Sequence, residues 1–189
     1  MAYTAPTAVT AGDALTASGQ NILVNNDIAM RAAAVNIQST CLTTATTVGA
    51  GAASTWYDFT GFTVTITPTA SNSKILVFGQ VLCGSAAGAL TFIKMLRGST
   101  DISVGTGSLG SRLACHSGAI GMNDANDNWA HVVPFSFLDS PSTTSATTYK
   151  LQVQVHNASQ IYMNRTYADG DVSYQPRGVS TITAIEVPA

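Results

Sequence analysis

Charged side chains are scarce in this sequence. Asp, Glu, Lys and Arg together make up 10% of its 189 residues, against about 25% in an ordinary soluble domain. Thr, Ser, Ala and Gly take their place, and a surface rich in hydroxyls but poor in charge is weakly protected against association. The composition therefore predicts a single β-rich domain that packs against copies of itself or against partner proteins.

Runs of basic or of apolar residues are also missing. Lys and Arg are scattered singly and the net charge is −2, which argues against binding to nucleic acid or to a membrane surface. No stretch of about 20 apolar residues occurs, so we expect no transmembrane segment. The first 20 residues lack a basic region followed by an apolar one, so we expect no signal peptide.

Cysteine is rare, and no two cysteines have the spacing of a paired motif. Cys41, Cys83 and Cys115 form no CxxC motif, and each lies in an apolar run. This pattern predicts free, buried thiols in a reducing compartment rather than a disulfide framework.

Carboxylates suited to acid–base catalysis are few. The only glutamate is Glu186, and the aspartates lie mostly in turns. A glycosidase needs two carboxylates that flank one bond, and the loops around residues 124–127 and 169–171 keep such a pair open. Solvated turn aspartates are the simpler interpretation.

Motifs of other enzyme classes are lacking too. No GxSxG elbow occurs, although a Ser–His–Asp triad stays open. Residues 105–110 read GxGxxG, but they follow a very short predicted strand and open no helix, so the nucleotide-binding context fails. His116, His131 and His156 show no metal-ligand spacing. We therefore predict a protein that is not an enzyme and uses no cofactor or metal.

One loop has the densest cluster of oxygen ligands, at residues 123–128. Three side chains follow the 1-3-5 spacing of a calcium loop: Asp124, Asn126 and Asn128. Trp129 and Phe135 stand where such a loop needs Gly and Glu, so it is not an EF-hand. Asp124, Asn126 and Asp127 remain candidates for an irregular ligand loop, with an Asx-rich turn as the alternative.

The clearest structural signal is strict alternation in residues 147–157. Tyr149, Leu151, Val153 and Val155 alternate with polar residues, which is typical of a strand with one buried face. Similar segments with turn residues between them predict eight to ten strands. The predicted segments are 36–48, 56–67, 74–83, 90–97, 102–104, 112–120, 129–138, 147–157, 160–165 and 179–187.

These segments predict a mainly β fold, an antiparallel two-sheet β-sandwich. Within it, the apolar stretch 74–83 is expected to be a central strand, and Pro134 predicts an edge strand or a bulge. We expect 160–165 to pair with 147–157 as a hairpin. His131 is expected to face the core or an interface.

The N-terminal part differs from the rest. Residues 1–15 are expected to be extended, and Thr16 is a plausible N-cap for a helix to about residue 34. Residues 1–35 are thus predicted to be an anchor segment and 36–189 the sandwich domain. The expected partner-binding side chains of the anchor are Tyr3, Leu15, Ile22, Leu23, Ile28 and Met30.

Aromatic residues in predicted loops offer a second kind of site. Trp56, Tyr167 and Tyr174 fall near loops and could stack on a sugar ring. Packing at subunit contacts is the commoner use of such residues.

Three stretches resemble proteins on the virion surface of tailed bacteriophages. Residues 10–17, followed by Asn21 and residues 25–27, resemble the AG-x-x-LTA…N…DN leader of many phage structural proteins. Residues 66–77 resemble a strand–turn–strand of phage fibre and capsid-surface domains. The third stretch comprises 138–151 with residues 164–165 and 180–187.

The resemblance implies a jelly-roll or TNF-like sandwich, usually a homotrimer, displayed on the virion and attached by its N-terminal segment. The expected function is a noncatalytic capsid decoration (cement) protein that binds phage head proteins and bridges capsid subunits, assembled in the host cytoplasm. The alternative is a tail or head fibre protein whose head binds a receptor or a host surface glycan. No nucleic acid or membrane partner is expected.

Overall fold

The computed structural model describes residues 20–26, 36–49, 52–86, 88–122, 128–157 and 160–188. The chain divides into two units, Met1–Asn36 and Ile37–Ala189. In the first, residues 20–26 form a helix, α1, on which Leu23 and Val24 are exposed. The remainder of the predicted 16–34 helix lies outside the described residues. No described helix is long and apolar enough to cross a membrane.

The second unit is built of antiparallel strands. They are β1 (Ile37–Leu42), β2 (Thr46–Val48), β3 (Trp56–Ile66), β4 (Lys74–Ser85), β5 (Ala89–Arg97), β6 (Thr100–Ser103), β7 (Ser117–Met122), β8 (His131–Asp139), β9 (Thr147–Val155), β10 (Ile161–Met163) and β11 (Ser180–Val187).

The strands form two sheets. In sheet A the order is β1-β11-β4-β8. Beyond the end of β11, β10 pairs with the same edge of β4, and β2 pairs with β10. In sheet B the order is β3-β9-β5, and β6 and β7 share the far edge of β5. If β2 and β10 are set aside and β6 and β7 are counted as one strand, the remaining strands can be renumbered in chain order. In that numbering, sheet A reads 1-8-3-6 and sheet B reads 2-7-4-5. This is the strand order of a jelly roll, and it confirms the predicted fold class.

The core lies between the sheets and follows the alternation of each strand. Tyr149, Leu151 and Val153 of β9 are fully buried, as are Ile75 and Val77 of β4. Complete burial of one such side chain contributes roughly 1.5–3 kcal/mol to folding. The predicted central position of 74–83 is confirmed, since β4 is paired along both edges.

A bulge in β3 brings two phenylalanines onto the same face. The pairing of β3 with β9 shifts register between Asp58 and Thr63, and Gly61 there has a φ of 76°, which glycine adopts without a steric penalty. Because of this irregularity, Phe59 and Phe62 both point inward and meet edge-to-face at 6.2 Å.

Two sheet positions differ from the predictions. The 160–165 segment is not the hairpin partner of β9; its strand, β10, pairs with β4 and β2 in the other sheet. The predicted 112–120 strand begins only at Ser117, because 111–116 is a loop whose His116 N donates to the carbonyl of Ile93. In addition, the predicted 36–48 strand is two strands, β1 and β2.

The position of Pro134 follows the prediction. It lies in β8, which pairs only with β4 among the described strands and is therefore an edge strand. On the unpaired side of an edge strand, a missing N–H costs no sheet hydrogen bond.

The cysteines only partly follow the prediction. All three are free. Burial raises the pKa of the Cys83 thiol to about 12 and also raises that of the half-buried Cys115. Cys41 is exposed, so the expectation that it is buried is wrong. Its position in β1 places it on the outer face of sheet A, opposite Thr181.

Candidate functional site

The outer face of sheet A is almost free of charge. We call it the A face, and it consists of the outward residues of four strands: Ile37, Ser39, Cys41, Lys74, Leu76, Phe78, Gln80, Leu82, Val132, Pro134, Ser136, Leu138, Thr181, Thr183, Ile185 and Val187. Lys74 is its only charged residue. The A face is therefore the part of the sandwich with the lowest electrostatic barrier to association.

Strand register arranges the A face in rows. Ile37, Ile185, Leu76 and Leu138 are cross-strand neighbours and form one apolar row. In that row, Ile37 is 48% and Leu138 is 47% exposed. The next row contains Ser39 and Thr183, whose hydroxyls are 3.0 Å apart. The apolar row and this hydroxyl pair can be desolvated at little cost, since the two hydroxyls already bond each other.

The outer face of sheet B is different, because its charges are paired. Lys150 contacts Asp58 at 2.8 Å, and Lys94 contacts Asp101 at 3.0 Å. The Lys94 ammonium also lies 4.7 Å from the centre of the Trp56 ring. The Lys150 end of the polar face of β9 is therefore engaged in contacts within the subunit.

Asp58 is the centre of this network. Burial acts to raise the pKa of its carboxyl, but hydrogen bonds from Lys150 and Gln152, both 2.8 Å, outweigh burial. The pKa of Asp58 is consequently lower than usual. A carboxylate held ionised in this way is a poor proton donor near neutral pH.

Within the described residues, Ser103 Oγ and His116 Nδ1 form a serine–histidine pair. Ser103 is buried, and burial lowers the pKa of His116. The nearby Asp101 is paired with Lys94, and among the described residues no carboxylate contacts His116. The contact joins the 104–116 loop to the end of β6.

Asp169 was a candidate for one of the carboxylate pairs. It lies 3.3 Å from Arg165 and 2.5 Å from Arg177, so two guanidinium groups share its charge. The Arg165 guanidinium also lies 3.5 Å from the centre of the Tyr162 ring. This cluster fixes the 165–177 loop at both of its ends.

Two exposed aromatic rings line one cleft of about 650 Å³. They are Trp129, 54% exposed, and Tyr174, 62% exposed, and the other described lining residues are Asn128, Ala130 and Pro176. Trp129 was predicted to start a strand with an inward face, but β8 begins at His131. The loop position leaves its ring uncovered, whereas His131 lies on the inward face as expected.

A second cleft, of about 660 Å³, lies on the outer face of sheet B. Trp56, Gln154, Arg112 and His156 are among its lining residues. The Gln154 side chain is buried, and its Oε1 has no hydrogen-bond partner. Trp56 is held against Lys94 there, so its ring is less available than those of Trp129 and Tyr174.

The structure does not bring the predicted aromatic residues together. Tyr174 and Trp56 line different clefts. Tyr167 packs edge-to-face on Tyr162, with ring centres 5.5 Å apart. Sequence reasoning missed Trp129; its place immediately after an Asn/Asp-rich loop was the available signal.

The other predicted site residues are only partly described. Ile22 is half-buried and Leu23 exposed on α1. The other candidates lie outside the described residues: Tyr3, Leu15, Ile28, Met30, Asp124, Asn126 and Asp127. Within the described ranges, no three His, Cys, Asp or Glu side chains are grouped as metal ligands.

Comparison with known proteins yields structural similarities only. No protein-family model and no curated protein matches the sequence. Two similar solved structures are those of infectious bursal disease virus, Gx strain (11% identity, TM-score 0.40) and Gt strain (12% identity, TM-score 0.35). The matches cover 80% and 82% of this chain but 32% and 38% of the viral chains. This chain thus spans about a third of the length of those chains, and its fold assignment rests on its own strand order.

Proposed function

We propose that this chain is a noncatalytic virion structural protein of a tailed bacteriophage. More specifically, we propose a capsid decoration protein that acts as a homotrimer on the virion surface. The resemblance of residues 10–17, 66–77 and 138–151 to phage surface proteins supports the class. The jelly-roll strand order is compatible with it.

The observation that carries the proposal is the contrast between the two outer faces. Sheet B neutralises its charges through Lys150–Asp58 and Lys94–Asp101. The A face presents exposed apolar side chains such as Leu138, Val132 and Phe78 with one lysine at its margin. Contiguous exposed apolar surface on a soluble domain marks interaction sites. We infer that the A face is the contact between subunits.

The proposed mechanism is mechanical rather than chemical. Each trimer would bridge neighbouring capsid subunits and bury surface that must be re-exposed before the shell can separate. Residues 3–34 would attach the trimer to the capsid, and the sandwich would stand outside. Surface burial at many sites would then resist the internal pressure of packaged DNA.

Location and copy number test the role on the particle. Decoration predicts hundreds of copies per virion spread over the head, measured by quantitative mass spectrometry and cryo-electron microscopy. A chain lacking residues 1–34 should fold but lose capsid binding. A few tens of copies at one position, or full capsid binding by the truncated chain, would contradict the proposal.

The A face is tested by a charge placed in its apolar row. Leu138→Glu introduces a carboxylate at a 47% exposed position of the apolar row, and Leu90→Glu places the same charge at a 38% exposed position in sheet B. Sedimentation velocity should show trimers for the wild type and Leu90→Glu, and monomers for Leu138→Glu. Trimers in both variants would remove the A face from the interface.

The second candidate is a fibre protein with a glycan-binding head. The cleft with Trp129 and Tyr174 is the observation that favours it. Copy number separates the two functions, because a fibre is present in far fewer copies than a decoration protein.

A further inference from the structure

We propose that the cleft between Trp129 and Tyr174 binds neutral carbohydrate. The inference extends the glycan-binding candidate and does not depend on capsid decoration, since a decoration protein can also carry a sugar site. It concerns residues 128–130 and 174–176, all of which are described.

The chemistry of the lining favours a sugar ring. Trp129 and Tyr174 present large flat surfaces to solvent, 54% and 62% exposed. The axial C–H groups of a pyranose can pack on such rings while its hydroxyls stay hydrated or bond to polar edges. Neither the Trp129 indole N–H nor the Tyr174 hydroxyl is bonded within the described part of the chain, so each can bond a sugar hydroxyl.

The chemistry of the five described lining residues favours a neutral ligand. No Asp, Glu, Lys or Arg is among the five described lining residues. A phosphate or acidic sugar would need a cationic partner, whereas a neutral sugar needs none. The volume of about 650 Å³ lies in the range of small-ligand sites.

A side-chain amide holds the two walls in place. The Gln175 Nε2 donates to Asn128 Oδ1, and the Gln175 Oε1 accepts from the backbone N–H of Gly170. The Gln175 N–H also donates to the carbonyl of Val172 at 3.1 Å. Because Gln175 adjoins Tyr174 and Asn128 adjoins Trp129, this amide ties together the two chain segments that carry the rings before a ligand arrives. Preorganisation lowers the entropic cost of binding.

The experiment uses the full chain and a direct reporter. The chain has two tryptophans, so Trp56→Phe leaves Trp129 as the only indole. An array of neutral glycans, with 3′-sialyllactose and phosphorylated sugars as acidic comparisons, would identify a bound neutral oligosaccharide. That oligosaccharide is then titrated into Trp56→Phe while its tryptophan fluorescence is followed.

We expect saturable fluorescence changes in Trp56→Phe. Trp129→Ala should abolish array binding, and Tyr174→Ala should weaken binding by about tenfold or more, equivalent to about 1.4 kcal/mol. Gln175→Ala removes the side-chain amide that bonds Asn128 and Gly170. It should weaken binding although both rings are retained. Tyr167→Phe, altered outside the cleft, should bind like the wild type.

Three results would overturn the inference. One is that no neutral glycan binds. Another is that binding survives Trp129→Ala, and the third is that only acidic glycans bind. A change of oligomeric mass in Trp129→Ala without glycan binding would identify the rings as a subunit contact instead. None of these results bears on copy number per virion, so the decoration proposal is tested separately.

Discussion

Tyr149 Oη donates a 2.8 Å hydrogen bond to Asp139 Oδ2 and thereby joins the two sheets of the sandwich. Tyr149 belongs to β9 of sheet B, and Asp139 is the last residue of β8 in sheet A. Arg97, at the end of β5, donates to the same carboxylate at 2.8 and 3.0 Å. Burial, together with the adjacent carboxylate, raises the pKa of Tyr149, so the phenol remains a donor.

Removal of the carboxylate should be costly. Asp139→Ala leaves the buried Tyr149 hydroxyl without its acceptor and Arg97 without its counter-ion, so we expect a loss of about 2–4 kcal/mol in the free energy of unfolding. Tyr149→Phe removes one bond and leaves Arg97 in place, so about 1–2 kcal/mol is expected. Urea denaturation measures both. Equal, small losses would show that the contact does not stabilise the fold.

Asn164 should be unusually intolerant of substitution. It has a φ of 63° and is fully buried; its Nδ2 donates to the carbonyls of Leu42 and Thr44, and its Oδ1 accepts from Ser180. Asn164→Ala loses three hydrogen bonds and retains the strained φ, so a loss of about 3 kcal/mol or more is expected.

A control separates backbone strain from hydrogen bonding. Asn164→Gly relieves the φ but also loses the bonds. Ser142 has a similar φ of 53° at an exposed position, so Ser142→Ala should change stability by less than about 0.5 kcal/mol. Thermal unfolding of the three variants should rank Asn164→Ala as the least stable. A harmless Asn164→Ala would contradict this role.

Acid should weaken the attachment of the 104–116 loop. Burial holds the pKa of His116 below its usual value of 6.5, so the unfolded chain binds a proton more readily than the folded one. The stability contributed by neutral His116 is therefore present above about pH 6.5 and is lost as the pH falls through the folded-state pKa. The urea midpoint should drop from pH 7.5 to pH 5.5 more steeply in the wild type than in His116→Gln. Identical pH dependence would exclude His116 as the cause.

In the monomeric Leu138→Glu variant, the three thiols should react in a fixed order with a disulfide reagent at pH 8. Cys41 is exposed and should react first, and the half-buried Cys115 should follow. Cys83 is buried with a pKa raised to about 12, so it should react only on unfolding. Because Cys41 lies on the A face, its reaction should be slower in the wild type than in Leu138→Glu. Equal rates would argue against an interface there.

Local pattern was sufficient for much of the fold. The alternation in 147–157 identified a strand whose apolar side chains, from Tyr149 to Val155, are buried. Pro134 indicated an edge strand because its missing N–H cannot join a ladder. These inferences succeeded because side-chain direction in a strand depends only on local backbone geometry.

Strand pairing and the positions of loops could be predicted less well from the sequence. β10 was expected beside β9, yet it pairs with β4 and β2. Trp129 was assigned to a strand two residues too early, which concealed the cleft. Boundaries are weakly encoded because one or two terminal residues contribute little to the periodic pattern.

The amino-acid sequence alone carries the strand periods, the scarcity of charge and the β-sandwich class, since each follows from composition or from neighbours along the chain. Folding in three dimensions was needed to collect the uncharged positions of four strands into the A face and to place Tyr174 across a cleft from Trp129. The physical reason is that backbone hydrogen-bonding groups are the same in every strand. The choice of partner strand therefore depends on packing of the whole core.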